Sequence, residues 1–115
     1  MDGPTPRSLA NLIRAVAVLA LPATDQVFWI DSLGVGHAVD ELALELGDGA
    51  LLARQFVDAG WLGAEVLPPL RALDALMEGM SGPENAPLWD ISSLNSSPRW
   101  AAARREALEV LRAIR

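Results

Sequence analysis

Residues 97–114 read SPRWAAARREALEVLRAI, and this stretch decides the fold class. A serine followed by a proline favours a helix start, because the Ser97 hydroxyl accepts a hydrogen bond from a first-turn amide and Pro98 has no amide to satisfy. Apolar residues then recur every three or four positions, as one buried helix face requires. They are Trp100, Ala103, Ala107, Val110 or Leu111, and Ile114. The spacing predicts an amphipathic helix.

The composition of the rest of the chain also favours helices. The 115 residues match the length of one domain, and half of them are apolar, which is enough to fill a core. Alanine and leucine dominate, while β-branched residues are few and tyrosine is absent. We therefore expect an all-α fold, a compact single-domain bundle of five or six short helices. Residues 1–7 are expected to form a loose lead-in, and 8–115 a single helical domain with a long loop at 81–97.

Caps and prolines predict where the other helices begin and end. Ser8 is the expected cap of a first helix that ends at Pro22, and Thr24 or Asp25 is expected to start a second, shorter helix. Pro69 suits the first position of a later helix that runs to about Glu78.

The segment from residue 39 to residue 46 is ambiguous. A helix face fits Val39, Leu42, Ala43 and Leu46, but Leu42, Leu44 and Leu46 also alternate as in a strand. Helix is favoured, because a single strand would have few partners to pair with. The run from Gly47 through Asp48 to residue 49 is expected to break this helix, with Asp48 capping a following helix at 50–59.

A sharper local signal surrounds Gly60. A glycine directly after a helix suits the left-handed backbone conformation of a Schellman ending. Counting from residue 59 as the last helical position places Phe56 and Trp61 at the two sites that this ending brings together. We expect the side chains of Phe56 and Trp61 to touch.

Charge is distributed in blocks along the chain. Residues 25–90 hold twelve acids and only two bases, Arg54 and Arg71, a net charge of −10. The flanking segments carry +1 and +3, so the whole chain carries −6. A concentrated negative field attracts cationic partners and speeds their approach.

These charges favour a small acidic protein-binding module, an adaptor, inhibitor or immunity-type protein that engages a basic partner. The acids that a helix over 39–46 would display in a row, together with an aromatic residue in the long loop, are the expected contacts. They are Asp40, Glu41, Glu45, Asp48 and Trp89. The sequence is also compatible with self-association through an exposed apolar stripe.

Two other functions compete with this one. A helical protein that binds an apolar small molecule would need a pocket lined by large side chains. The candidates are Trp29, Phe56, Trp61, Met77 and Met80, with Trp89 beside them. An enzyme is less favoured, and it would use His37, the single histidine, with a carboxylate.

Several classes of function are disfavoured by composition. The chain has no cysteine, so thiol nucleophiles and thiolate zinc sites are excluded, and no motif for a metal or another cofactor is present. The acidic balance disfavours nucleic acid and anionic membranes as partners. No apolar run approaches the roughly 20 residues of a membrane span, and Asp2 with two early prolines argues against a signal peptide. A cytoplasmic, bacterial protein is the expectation.

Overall fold

The computed structural model describes residues 4–32 and 40–114, and all regular secondary structure in these residues is helical. Two of the helices, η1 and η2, are short 3₁₀ helices. The elements are α1 (Pro6–Ala20), α2 (Ala23–Ser32), α3 (Asp40–Asp58), η1 (Ala64–Val66), α4 (Leu67–Gly79), η2 (Pro83–Trp89), α5 (Ile91–Ser96) and α6 (Pro98–Ala113). The predicted all-α class is confirmed, but the predicted count of five or six helices is low once the 3₁₀ helices are included.

One apolar core joins the helices. Helix α1 lies against α3 and α6, α4 lies against α6 and α3, and α5 lies against α2 and α6. The largest fully buried apolar side chains are Trp100, Phe56, Leu19, Ile30, Leu46, Leu70, Leu73, Met80, Leu94 and Val16. The residues predicted for the buried face of α6 include four that are buried, Trp100, Ala103, Ala107 and Val110.

Helix α1 begins two residues before the predicted cap. Thr5 is the N-cap, and its hydroxyl accepts a hydrogen bond from the Ser8 amide at 3.0 Å. The Ser8 hydroxyl in turn accepts one from the Thr5 amide at 2.9 Å. The pair forms a reciprocal capping box, and Pro6 occupies the first turn, where no amide donor is needed.

Helix α3 is the main departure from the predicted boundaries. Helix, and not strand, is confirmed for the segment that contains Leu42 and Leu46, but α3 continues through Gly47, Asp48 and Gly49 without a break. Tertiary packing explains this continuity at Gly49, which is buried. A Cβ atom at Gly49 would lie only 2.7 Å from both the Cβ and the Cδ1 of Leu12 in α1. Glycine is there because the two helices approach closely, so the loss of helix propensity is offset by packing.

The end of α3 matches the predicted Schellman motif. Gly60 has φ +81°, the amide of Trp61 donates to the Phe56 carbonyl at 2.9 Å, and the amide of Gly60 donates to the Val57 carbonyl at 3.0 Å. The rings of Phe56 and Trp61 stack with their centroids 6.1 Å apart. The predicted contact is confirmed.

The start of α4 lies two residues earlier than predicted. Leu67 is the first residue of α4, so Pro68 and Pro69 occupy its second and third positions. Both prolines are tolerated because amides in the first turn have no carbonyl partner within the helix. The single turn η1 precedes them.

The predicted long loop at 81–97 is mostly helical. Helices η2 and α5 occupy most of these residues. Two indole groups hold the segment. The Nε1 of Trp89 donates to the Met80 carbonyl at 2.8 Å, and the Nε1 of Trp100 donates to the Leu88 carbonyl at 2.7 Å.

A buried polar group connects four helices. The side chain of Gln26 is fully buried, and its amide nitrogen donates to the carbonyls of Val18 and Leu19 at the end of α1. The Arg104 guanidinium donates to the Gln26 side-chain oxygen at 3.2 Å and to the Leu94 carbonyl at 2.7 Å. Burial lowers the pKa of Arg104, and the charge of Arg105 lowers it further. These bonds satisfy polar groups that would otherwise be costly to bury.

Candidate functional site

The predicted acidic contacts lie on the first half of α3. Residues 40, 41, 45 and 48 all belong to this helix, and positions 41, 45 and 48 follow helical spacing along one side of it. Asp48 is exposed to solvent. The side chains of Asp40, Glu41 and Glu45 lie outside the described part of the structure.

Most of the described acids of the central block are exposed to solvent. Within the described ranges, Asp58 pairs with Arg54 at 3.3 Å, a contact between two mostly exposed side chains on one helix. Other acids of this block form no ion pair with any described residue. They are Asp25, Asp48, Glu65, Asp74, Glu78, Glu84 and Asp90. All of these except Asp74, which is half-buried, are exposed.

Three arginines of the terminal segment bond to groups other than the carboxylates of residues 25–90. Arg99 donates to the Gly79 carbonyl at 3.0 Å, and Arg104 donates to the Gln26 side chain and the Leu94 carbonyl. Arg112 forms an ion pair with Glu109 of its own helix. None of these bonds involves a carboxylate from residues 25–90.

Trp89 is already engaged within the fold. Its ring is half-buried and meets the ring of Trp100 edge-on, with centroids 5.3 Å apart and an interplanar angle of 85°. Its indole nitrogen donates to the Met80 carbonyl. Helix η2, which carries Trp89, packs against α5, while α3 packs against α1 and α4. These contacts hold Trp89 within the fold. Among the described elements, η2 does not pack extensively against α3, which carries the predicted acidic contacts.

The residues expected to line an apolar pocket mostly belong to the core. Phe56, Met77 and Met80 are buried, and Trp29 is half-buried against the same cluster. Trp61 covers Phe56 and remains 41% exposed. Of these residues, Met80 lines a cleft beside Arg99 at the end of α4.

His37 lies outside the described residues. Among residues 4–32 and 40–114, no group of three or more histidine, aspartate and glutamate side chains is arranged to hold a metal ion. Within the same ranges no helix is both long and apolar enough to cross a membrane.

Two of the clefts beside α4 are lined by several charged side chains. The larger, a shallow depression of about 800 Å³, lies between the start of α4 and the end of α6. Its acidic side chains are Glu65, Glu106 and Glu109, with Arg112 beside them. A second cleft of about 140 Å³ separates α3 from α4, and it is lined by Leu51, Arg54, Arg71 and neighbouring residues.

Sequence reasoning missed the exposed leucines of α3. Leu51 is 83% exposed and Leu44 is 60% exposed. They are seven residues apart, so they lie on the same side of α3 as Asp48. Phe28 on α2 is also largely exposed. In the sequence, apolar residues occur on more than one side of the segment that forms α3. A helix cannot bury all of its sides against a single core.

Comparison of the chain with protein families, curated proteins and solved structures gives no match. Function must therefore be argued from the residues of this molecule.

Proposed function

We propose that the chain is a small protein-binding module, of the adaptor, inhibitor or immunity type, and that α3 presents its acidic surface to a basic protein partner. The observation that supports this proposal is the exposure of most of the described central acids, Asp48 among them, while Arg99 and Arg104 donate to carbonyl and amide oxygens. An uncompensated negative surface favours a cationic partner and disfavours an anionic one.

Helix α3 supplies a rigid support for such a surface. Its inner side is fixed by Leu46, Ala53 and Phe56, which are buried, and by the close approach of Gly49 to Leu12. Charges on a fixed helix need little further ordering when a partner binds, so less binding energy is lost to conformational entropy.

The negative charge also affects how fast different partners associate with the chain. Long-range attraction increases the rate of encounter between oppositely charged proteins, and salt screens that attraction over about 10 Å at 0.1 M. Contacts at the rim of an interface act mainly on the association rate, whereas contacts at its centre act on dissociation. We therefore expect the acids to govern how fast the partner is bound.

The test begins with capture of a binding protein from a lysate of the source organism, followed by measurement of its affinity for purified variants. One variant neutralises the α3 acids by Asp40→Asn, Glu41→Gln, Glu45→Gln and Asp48→Asn. A matched control makes the same charge change elsewhere by Asp25→Asn, Glu78→Gln, Glu84→Gln and Asp90→Asn. At about 0.5 kcal/mol for each charge, the α3 variant should bind roughly 30-fold more weakly, and the control should bind nearly as the parent does.

Three results would contradict the proposal. The first is a captured protein that is not basic, and the second is an equal loss of affinity in both variants. The third is unchanged binding by the α3 variant together with loss on neutralising Glu65, Glu106 and Glu109, which would place the contact in the larger cleft.

A further inference from the structure

The exposed side of α3 combines charge with apolar area. Leu44, Asp48 and Leu51 follow one another at intervals of four and three residues, so they form one strip along the helix. We call these three residues the α3 strip. Leu44 is 60% exposed and Leu51 is 83% exposed. Burial of these side chains against a partner would favour binding, because it would remove apolar surface from water.

The cation of α3 lies outside this strip. Arg54 lines the cleft between α3 and α4, and it bonds Asp58. Arg71 lines the same cleft from α4. Leu51 lines this cleft as well, so the two cations lie along one edge of the α3 strip, and Asp48 lies between its two leucines.

Gly47 lies between the two leucines and has no packing role within the described molecule. Glycine in the middle of a helix costs roughly 0.5–1 kcal/mol relative to alanine. At Gly49 the close approach of Leu12 explains why glycine is present. At Gly47, by contrast, no described atom lies within 4 Å of the position that a Cβ atom would occupy. An open glycine beside exposed leucines lets the backbone of another helix approach closely, as small residues do at helix crossings.

We propose that the basic partner contributes an amphipathic helix that lies along α3, crosses it at Gly47 and covers Leu44 and Leu51. Cationic side chains on one flank of this helix meet Asp48, while its apolar stripe covers the leucines. Apolar anchors spaced seven residues apart are the usual contacts of a helix bound on a helical surface. This inference rests on the proposed function, because it assumes that the partner is basic, and it adds the structure of the contacting element.

The experiment uses a synthetic 18-residue peptide with leucines at helical spacing and lysines on one flank, bound to the purified full chain. A scrambled peptide of identical composition is the first control, and a peptide with glutamates in place of the lysines is the second. The amphipathic basic peptide should bind at least tenfold more tightly than the scrambled peptide, and the acidic peptide should bind more weakly than both.

Variants of the chain test the individual contacts. Leu44→Ser with Leu51→Ser should weaken binding of the basic peptide at least tenfold while the fold is retained, since both side chains are exposed in the free chain. Gly47→Ala should weaken it about tenfold through overpacking at the crossing, although alanine favours the free helix. Gly79→Ala is the matched control, because Gly79 also has open space around it and lies on α4.

The outcomes separate this inference from the proposed function. Equal binding of the basic and scrambled peptides, or full affinity in the leucine and Gly47 variants, overturns the helix-docking inference. The proposed function would still stand if the captured partner lost affinity on neutralisation of the α3 acids. Purified chain that forms a stable dimer through Leu44 and Leu51 would also overturn the inference, since a second copy would then cover the α3 strip.

Discussion

The same substitution at two glycines of α3 should have opposite effects on stability. Gly47→Ala adds a methyl group where no described atom lies within 4 Å, whereas Gly49→Ala adds one at 2.7 Å from the Cβ of Leu12. Both changes gain the helix propensity of alanine, which is worth about 1 kcal/mol. Only Gly49→Ala meets resistance from a neighbouring helix.

The magnitude at Gly49 follows from the geometry. Carbon atoms pack best at about 3.5–4.0 Å, so a separation of 2.7 Å requires a shift of roughly 1 Å. Leu12 is buried, and its Cβ is attached directly to the backbone of α1, so rotation of the side chain cannot relieve the contact. Overpacking of this kind costs about 2–3 kcal/mol, which leaves a net loss of about 1–2 kcal/mol after the gain in propensity.

Urea and thermal unfolding at low protein concentration measure both variants. Gly47→Ala should raise the free energy of unfolding by up to about 1 kcal/mol, and the two melting temperatures should differ by roughly 10 °C. Shortening Leu12 to alanine should reduce the cost of Gly49→Ala by at least about 1 kcal/mol in a double-mutant cycle. Equal stability of the two alanine variants, or a cost at Gly49 that does not depend on Leu12, would refute the close-approach explanation.

Other contacts give further expected outcomes, each measured by urea unfolding. Gln26→Leu should destabilise the fold by about 2–4 kcal/mol, since it removes the donor to two α1 carbonyls and the acceptor for Arg104, and a loss under about 1 kcal/mol would argue against the network. Gly60→Ala should cost about 1–2 kcal/mol because φ is +81°, and an unchanged midpoint would argue against a left-handed cap. Trp89→Phe should cost about 1 kcal/mol by leaving the Met80 carbonyl without its donor, whereas no loss would show that the bond is dispensable.

Local signals in the sequence were sufficient where neighbours along the chain determine the structure. The Schellman ending at Gly60 depends on a few consecutive residues, so the contact between Phe56 and Trp61 followed from counting positions. The cap of α6 at Ser97 also depends on local chemistry. The cap of α1 was misplaced by three residues because both Thr5 and Ser8 have capping hydroxyls, and the structure uses them together.

Features that depend on distant residues were not predictable in the same way. The pattern at 47–49 indicates a helix break, and only the position of Leu12 in another helix shows why α3 continues. Likewise, the carbonyls of Met80 and Leu88 that anchor Trp89 and Trp100 become visible only when the elements are assembled. These contacts explain why the segment after α4 is ordered into η2 and α5 and is not a long loop.

The candidate site was predicted in part. Composition located the acidic block, and helical periodicity placed Asp40, Glu41 and Glu45 on one helix. Asp48 was expected at the break of that helix, but it lies within α3. The exposed leucines were missed because apolar periodicity does not tell which side of a two-sided apolar helix meets the core. Trp89 was proposed as a contact because loop aromatics often anchor interfaces, but its ring and indole nitrogen are engaged inside the fold.

Electrostatic attraction by the exposed acids should draw a basic protein to this molecule. The most direct test of this claim is the association rate constant between the purified chain and the captured partner, measured by stopped flow from about 50 to 500 mM NaCl. Screening of the attraction predicts a fall of more than about tenfold in the association rate, with a much smaller change in the dissociation rate. An association rate that stays constant across this range of salt would contradict the claim.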